Sequence, residues 1–372
     1  ARRVRSDIPP MTGTSADPTM PVRAFAPGRV NLIGDHTDYT GGWCLPIALP
    51  WGTTVEGTRG GDRIRITSGL DDTATDLARL GNEVDRVDGW QRYVAAVAAQ
   101  VRPAHGFTGR ITTTLPIGAG LSSSAALEVA LALALGFDGP PDELAKAAQR
   151  AEHAAVGVPC GIMDQLTSVF GIRGHALLID CESLEVLGVP IPDGADICII
   201  DPGQSRTLAG SAYADRRAVC AAAEQRIGPL RQATVEVVAT LEDPILRRRA
   251  HHVVTENRRV LTAAKALRRG DWAAVGAAMV ASHRSLRDDF EVSTPVLDDI
   301  VAALIDTDGV HGARLTGAGF GGCVVAICEP GALPFAATVT ASRGARLDGL
   351  MPGGPELSPG ADAPSAPGTP PR

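Results

Sequence analysis

The sequence predicts an α+β protein with a strand-rich N-terminal half and a helix-rich C-terminal half. Three observations predict it. Short β-type runs separated by glycine-rich turns fill the first part of the chain, the stretch from Leu208 to about Ile305 reads as mostly helical, and prolines at 190 and 192 punctuate the join. A chain of 372 residues is also too long for one ordinary core, which favours two domains.

The elements follow in order. Residues 1–20 carry Pro, Ser, Thr and Gly without periodicity and are expected to be a disordered leader. Val22 to Ala26 and Trp43 to Val55 read as strands, with a turn at Thr40-Gly41-Gly42. Arg63 to Thr67 alternates as a half-buried strand does. Asp88 to Val101 places Trp90, Val94, Val97 and Val101 at helical spacing, and Gly109 to Leu115 returns to strand. Ser123 to Leu135 is an apolar helix and Pro141 to Val156 an amphipathic one. Ala176 to Asp180 and Ile197 to Asp201 read as short buried strands. The helical C-terminal region breaks near Gly228, Pro244, Gly270 and Ser293-Thr294-Pro295, and Cys323 to Cys328 closes as a strand. The domains are drawn at 21–192 and 193–348, and 349–372, dense in Pro, Gly, Ala and Ser, is expected to be a disordered tail.

Composition narrows the function. A net charge of −7 argues against general nucleic-acid binding, which needs a basic face. No run approaches the roughly 18 apolar residues of a membrane span, and no apolar signal-peptide region follows Ala1-Arg2-Arg3. The seven cysteines lack CxxC or zinc spacing and read as free thiols of a reducing compartment, so the expected location is cytoplasmic.

Three segments carry chemistry. In the first, Pro116 to Ala125, a β-type run ends and a loop with Gly118, Ala119, Gly120, Leu121, Ser122, Ser123 and Ser124 opens into a helix. A helix N-terminus offers unpaired N–H groups and a positive dipole end, glycines let the backbone approach phosphate, and serines can cap the helix, bond phosphate or ligate Mg²⁺. From this loop alone, a serine-capped helix after a glycine turn reads equally well. It is not a Walker A loop, because Gly-Lys-Ser/Thr is absent. A further glycine cluster, Gly317 to Gly322, satisfies GxGxxG as a string but is followed by a strand, so it is no dinucleotide site. A loop that closes over a ligand fits it better.

The next segment, Gly28 to Tyr39, packs Arg29, Asp35, His36 and Asp38 together, a set suited to several sugar hydroxyls at once. A shared metal at His36 and Asp38, or a plain solvated turn, is also open at this point. In the last, Gly157 to Gln165, Asp164 stands alone in a Gly-rich apolar frame after a helix carrying Glu152. Such an aspartate is either a hydrogen-bond hub or a catalytic group whose ionisation its neighbours set.

Together these segments resemble the GHMP kinase superfamily. Gly28 to Tyr39 is similar to the galactokinase signature Gly-Arg-Val-Asn-Leu-Ile-Gly-Glu-His-Thr-Asp-Tyr, with one change. Pro116 to Ala125 matches Pro-x-x-x-Gly-Leu-Ser-Ser-Ser-Ala, and Leu315 to Cys323 a third family motif. Pro159 to Gln165, His175 to Leu184 and Ser282 to Ser293 are also galactokinase-like, so the resemblance covers about residues 22 to 330. It implies a two-domain GHMP-kinase fold, with a ribosomal S5 domain 2-like N-terminal domain and a helix-rich α/β C-terminal domain.

It further implies a kinase that moves the γ-phosphate of ATP, with Mg²⁺, to the C1 hydroxyl of α-D-galactose; a monomer is expected, with the sugar and ATP as its small-molecule partners. Asp164 matches the catalytic aspartate and Arg29 the arginine that neutralises charge at the transferring group. Ser124 and Glu152 match Mg²⁺ ligands, and Gly118 to Ser124 match the ATP loop. Asp35, His36, Thr37, Asp38, Gly161 and Tyr213 match sugar-binding positions. Other readings are a kinase for N-acetylgalactosamine or arabinose, and a sensor without turnover.

Two departures bear on the sugar. Asp35 stands where galactokinases usually have Glu, so its reach is shorter by about 1.5 Å, one C–C bond; either the backbone moves, a water bridges, or the sugar differs. Asp201 to Leu208 also departs from the usual wording.

Overall fold

A computed structural model describes residues 2–3, 21–69, 73–80, 83–203 and 209–349. The first half supplies β1 (Arg2–Arg3), β2 (Pro21–Asn31), β3 (Trp43–Cys44), β4 (Pro46–Arg59), β5 (Arg63–Ser68), β6 (Ala74–Ala78) and β7 (Phe107–Thr113). Helices α1 (Trp90–Val101), α2 (Ser123–Ala134), α3 (Pro141–Val156) and α4 (Met163–Phe170) belong to the same half, which closes with β8 (His175–Asp180) and β9 (Glu185–Pro190). The second half holds β10 (Asp196–Ile200), α5 (Ala209–Ile227), α6 (Val235–Val238), α7 (Pro244–Arg268), α8 (Trp272–Asp288) and α9 (Pro295–Ile305). It ends with β11 (Val310–Leu315), β12 (Val324–Cys328), β13 (Ala337–Val339) and β14 (Arg346–Gly349).

Among the described residues the strands form three sheets. A six-stranded sheet runs β14-β2-β4-β7-β5-β6, a four-stranded sheet β1-β9-β8-β3, and another four-stranded sheet β11-β12-β10-β13. Helices α1 to α4 cover the six-stranded sheet through a core built on Val55, Phe107, Val129, Leu133 and Phe170. Helix α2 is buried on nearly every side, as its lack of a polar face requires, so the loop before it is fixed by the core. Another cluster joins the halves: Val30, Leu32, Ile33 and Leu45 pack with Val260, Met279, Val325 and Ile327.

Several elements differ from the sequence expectation. Strand β2 runs on past Ala26 into the Gly28–Asn31 motif, with a register shift against β4 between Pro27 and Arg29. A Cβ at Gly28 would stand 2.5 Å from the Leu121 carbonyl oxygen, so the absent side chain is what lets this strand approach the helix-start loop. Strand β14, which the sequence reading assigns to the second domain, instead pairs antiparallel with β2 at the edge of the first sheet. In the expected leader, Arg2 and Arg3 pair with Gly188 and Leu187. Its other residues up to 20, the tail beyond 349 and residues 204–208 of the altered segment lie outside the described residues.

Candidate active site

The phosphate-loop serines do not cap the helix. Ser122 sits at the N-cap of α2 with φ 60°, and no side chain caps the helix start. The hydroxyls are engaged elsewhere: Ser122 donates to Asp164 Oδ2, and Ser124 donates to Glu152 Oε1 at 2.7 Å. A serine-capped helix is therefore not what this loop builds. The positive end of α2 faces the cavity without a side-chain cap, the arrangement that favours an anion.

Arg29 and Asp164 form a bidentate pair. Arg29 donates from Nε to Oδ1 at 2.7 Å and from Nη2 to Oδ2 at 2.9 Å, while Nη1 donates to the Gly120 carbonyl at 2.7 Å. The main chain adds to this, because the Arg29 N–H donates to the Leu121 carbonyl at 3.0 Å. Burial would lower the Arg29 pKa, but the Asp164, Asp35 and Asp38 charges outweigh it and the net direction is up. The guanidinium thus stays charged between the glycine loop and a carboxylate. Asp164 lies in the first turn of α4, only partly buried, and lines the cavity.

Glu152 lies at the C-terminal end of α3, beside this pair. Besides Ser124, it accepts from Gln165 Nε2 at 2.6 Å and from Cys160 Sγ at 3.3 Å. Burial pushes its carboxyl upward, with the Asp164 charge adding to this, against the Ser124, Cys160 and Gln165 donors. Gln165 also reaches the fully buried Glu128 at 3.3 Å. Among the described residues no group of three His, Cys, Asp or Glu could hold a metal ion. Two adjoining hard oxygens, from Ser124 and Glu152, do fit a Mg²⁺ that takes its other ligands from phosphate and water.

The signature turn is less uniform than its sequence suggests. Asp38 is half-buried and faces the cavity. Burial first, then the Asp164 and Asp35 charges, push its carboxyl up to about 7 against Arg29 and Arg217. Gly161 makes room for this carboxylate: a Cβ there would stand 1.7 Å from Asp38 Oδ2. Tyr213, on α5, shares a hydrogen bond with the Gly161 backbone and lines the same cavity.

Asp35 is 2 % exposed and paired with the fully buried Arg314, while its Oδ1 accepts from the Gly317 N–H at 3.1 Å. His36 reaches Tyr39 through Nδ1 and the Ala318 carbonyl through Nε2, both at 3.1 Å. A carbonyl only accepts, so Nε2 carries a proton. Burial, then the nearby His252, hold its pKa down at about 3. Thr37 does not reach the cavity. It is fully buried, and its single hydroxyl hydrogen is shared between the Gly34 and Trp43 carbonyls at 2.9 and 2.8 Å, so its role is to shape the turn.

The cavity has a volume of about 370 Å³ and brings together Arg29, Asp35, His36, Asp38, Gly161, Asp164 and Tyr213 with Gly118, Gly120, Ser122 to Ser124 and Glu152. Ala119 and Leu121 are buried behind it. The sequence reading assigns no role to Tyr93, which lies in no motif, or to Val158 and Met163, which lie inside the Gly157–Gln165 segment but bring no polar group to the wall. It also assigns no role to Arg314, whose partner Asp35 lies far away in sequence, or to Gln165, which bridges Glu128 and Glu152 from other helices. The Gly317–Gly322 loop, read as a flexible cover, contributes Gly317 and Ala318 to the wall. It is anchored, since the Cys323 N–H donates to the Ala119 carbonyl at 3.1 Å and Thr316 Oγ1 donates to the Asn31 carbonyl at 3.0 Å. An apolar cleft of about 260 Å³ adjoins, lined by Trp90, Tyr93, Ile111, Ile117 and Leu127 and sharing Ser123 and Ser124 with the main cavity. All seven cysteines are free thiols.

Comparison with known proteins places the chain in a family. The profile of the galactokinase galactose-binding signature matches residues 13–59, that of the GHMP kinase N-terminal domain residues 92–172, and that of the C-terminal domain residues 263–339. The chain is 45 % identical over 326 residues to the galactokinase of Roseiflexus sp. (strain RS-1), covering 82 % of each chain. It is 42 % identical over 341 residues to the galactokinase of Homo sapiens, covering 86 % of each. The crystal structure of Lactococcus lactis galactokinase complexed with galactose superposes with a TM-score of 0.81 at 31 % identity, over 90 % of this chain and 97 % of that one. A mevalonate kinase from Methanococcus jannaschii shares the fold at a TM-score of 0.61 and 21 % identity, over 85 % of this chain and 92 % of that one. With the signature turn, the serine loop and the Arg29–Asp164 pair gathered on one cavity, the chain belongs to the galactokinase family of GHMP kinases.

Proposed function

We propose that the protein is a galactokinase, moving the γ-phosphoryl group of ATP to the C1 hydroxyl of α-D-galactose in galactose metabolism. The observation that carries this reading is the Asp164 carboxylate. It is gripped by Arg29 and by the Ser122 hydroxyl, and it faces the same cavity as the open start of α2 and the sugar turn.

Asp164 takes or orients the C1 hydroxyl proton. The hydroxyl electron pair then forms the new O–P bond as the bond to ADP breaks. Phosphoryl transfer asks mainly for positioning and charge neutralisation. Arg29, charged and rigidly held, supplies neutralisation beside Asp164. Gly118, Gly120 and the N-terminus of α2 cradle the phosphates, and the adjoining apolar cleft suits a flat nucleobase. Ser124 and Glu152 would hold Mg²⁺, which adds charge neutralisation at the phosphates. Asp38, Gly161 and Tyr213 border the sugar. Free thiols throughout fit a reducing compartment such as the cytoplasm. Among the described residues no helix is long and apolar enough to cross a membrane. The protein is expected to act as a monomer on these two small molecules.

The test is ADP release from purified protein, ATP and Mg²⁺ with a panel of galactose, N-acetylgalactosamine, arabinose and glucose. Turnover with galactose at about 1 to 100 per second is expected. Turnover only with another sugar would overturn galactose while keeping the kinase, and ATP and sugar binding without turnover would point to a sensor.

A further inference from the structure

Asp35 and Asp38 belong to one turn and both line the cavity, but their carboxylates are held differently. Asp38 faces the cavity, half-buried. Asp35 has one oxygen on the Arg314 guanidinium and the other on the Gly317 N–H, is 2 % exposed, and its main-chain carbonyl accepts from His252 Nε2 at 3.2 Å. Arg314 is itself fully buried in β11, at the foot of the Gly317–Gly322 loop, and among the described residues Asp35 is the carboxylate it pairs with. The two strands of this connection are pinned again one step away: the Asn31 N–H donates to Thr316 Oγ1 at 3.1 Å, and His36 meets the Ala318 carbonyl.

Building on the galactokinase reading, we infer that Asp35 is a positioning residue, a latch that holds Gly317 and Ala318 at the sugar side of the cavity, and that it makes no hydrogen bond of its own to the sugar. The shorter side chain then needs no moved backbone and no bridging water. Its length suits the gap between the signature turn and Arg314. A carboxylate one methylene longer has to push either the Gly317 amide or the guanidinium away. Releasing a buried charge in this way is costly, because the partner left behind has no water to turn to.

The latch and a direct contact give different answers with single-deoxy sugars. We would measure kcat/KM for galactose and for 2-, 3-, 4- and 6-deoxygalactose with wild type, Asp35→Asn and Asp35→Glu, per mole of folded protein. The latch predicts that Asp35→Asn lowers kcat/KM by about 10²-fold, the scale of an ångström-level misplacement, by the same factor for every sugar. Asp35→Glu does not restore it, and KM for ATP stays within about twofold. A loss confined to galactose and spared for one deoxy sugar, or a gain in Asp35→Glu, would mark a direct contact and overturn the latch.

Amide hydrogen exchange gives a reading that needs no turnover. In Asp35→Asn, and in Arg314→Lys should the first variant fold poorly, the segment 316–322 should exchange at least about tenfold faster. The signature of a general loss of stability, faster exchange spread evenly over all elements, would overturn the latch as well. Failure of wild type to phosphorylate galactose would instead sink the activity reading, since the exchange result stands without it.

Discussion

At the scale of single residues, Asp164 is held from two sides, and that makes its replacement informative. Asp164→Asn keeps the shape but removes the charge that Arg29 and Ser122 grip, so kcat should fall by about 10² to 10⁴, the usual worth of a positioned acid or base. Nucleotide binding by calorimetry should be little changed, and full activity in this variant would refute the role. Gly161→Ala drives a methyl group into the Asp38 carboxylate. It should raise KM for the sugar at least about tenfold, as read from initial rates, and leave KM for ATP unchanged.

Asp38 also sets a pH dependence. Its folded-state carboxyl titrates near 7, above the ordinary 3.8. The folded protein therefore holds more protons than the unfolded chain between those values, and this group lowers stability as pH rises from about 4 to 7. Sugar binding moves the other way, because the anion is the better hydroxyl acceptor. Wild-type kcat/KM for the sugar should climb through about pH 7, and Asp38→Asn should flatten the climb. Most residues that line the cavity are legible in the sequence because they sit in contiguous motifs. What Thr37, Asp35 and His36 do is not, because it depends on Trp43, Arg314 and Ala318, which only the fold brings near.

At the scale of elements, α7 is the brace behind the signature turn. Glu256 accepts from the Gly34 N–H at 3.0 Å and from Ser282 and Arg259, His252 meets the Asp35 carbonyl, and Asn257 Oδ1 accepts from the Trp43 N–H at 2.8 Å. Burial alone would push the Glu256 carboxyl up, but Arg259, His252 and Arg314 bring it down to about 2. A depressed carboxylate stabilises the fold above its unfolded pKa, and this contribution drains away as pH falls from about 4.5 to 2. Glu256→Ala leaves the buried Gly34 N–H and Ser282 hydroxyl without their acceptor and the partly exposed Arg259 without its partner, and should cost about 2 to 4 kcal/mol in urea unfolding.

The helices are the readable elements. The sequence bounds of α3 match the structure because Pro141 at its first turn and Gly157 in the left-handed conformation just after it bracket a clear stripe. Strand β13 escapes a sequence reading because three residues are too few to show a period, and β6 because its two inward residues are Thr75 and Leu77, with little apolar contrast to their neighbours. Strand β14 hides inside the glycine- and alanine-rich approach to the tail.

At the scale of the whole molecule, the two halves that composition separates are joined by one shared core, from Leu32 and Ile33 through Val260 to Ile327. Thermal unfolding should accordingly be a single calorimetric transition with calorimetric and van't Hoff enthalpies in agreement. Two resolved transitions would contradict a common core. The division into halves is visible in the sequence as a change of period. The shared core is not, because its members lie at opposite ends of the sequence and none is marked locally.

The return of Arg346–Gly349 to the side of β2 has a consequence for how the protein is made. During synthesis β2 emerges early, finds β4 on one flank, and then waits with its other flank open until the last described strand leaves the ribosome. An open flank is a template for another chain. A message cut short just upstream of Arg346 would yield a polypeptide with every residue of the cavity and yet a sticky seam, so solubility in the cell should be lost before catalysis is.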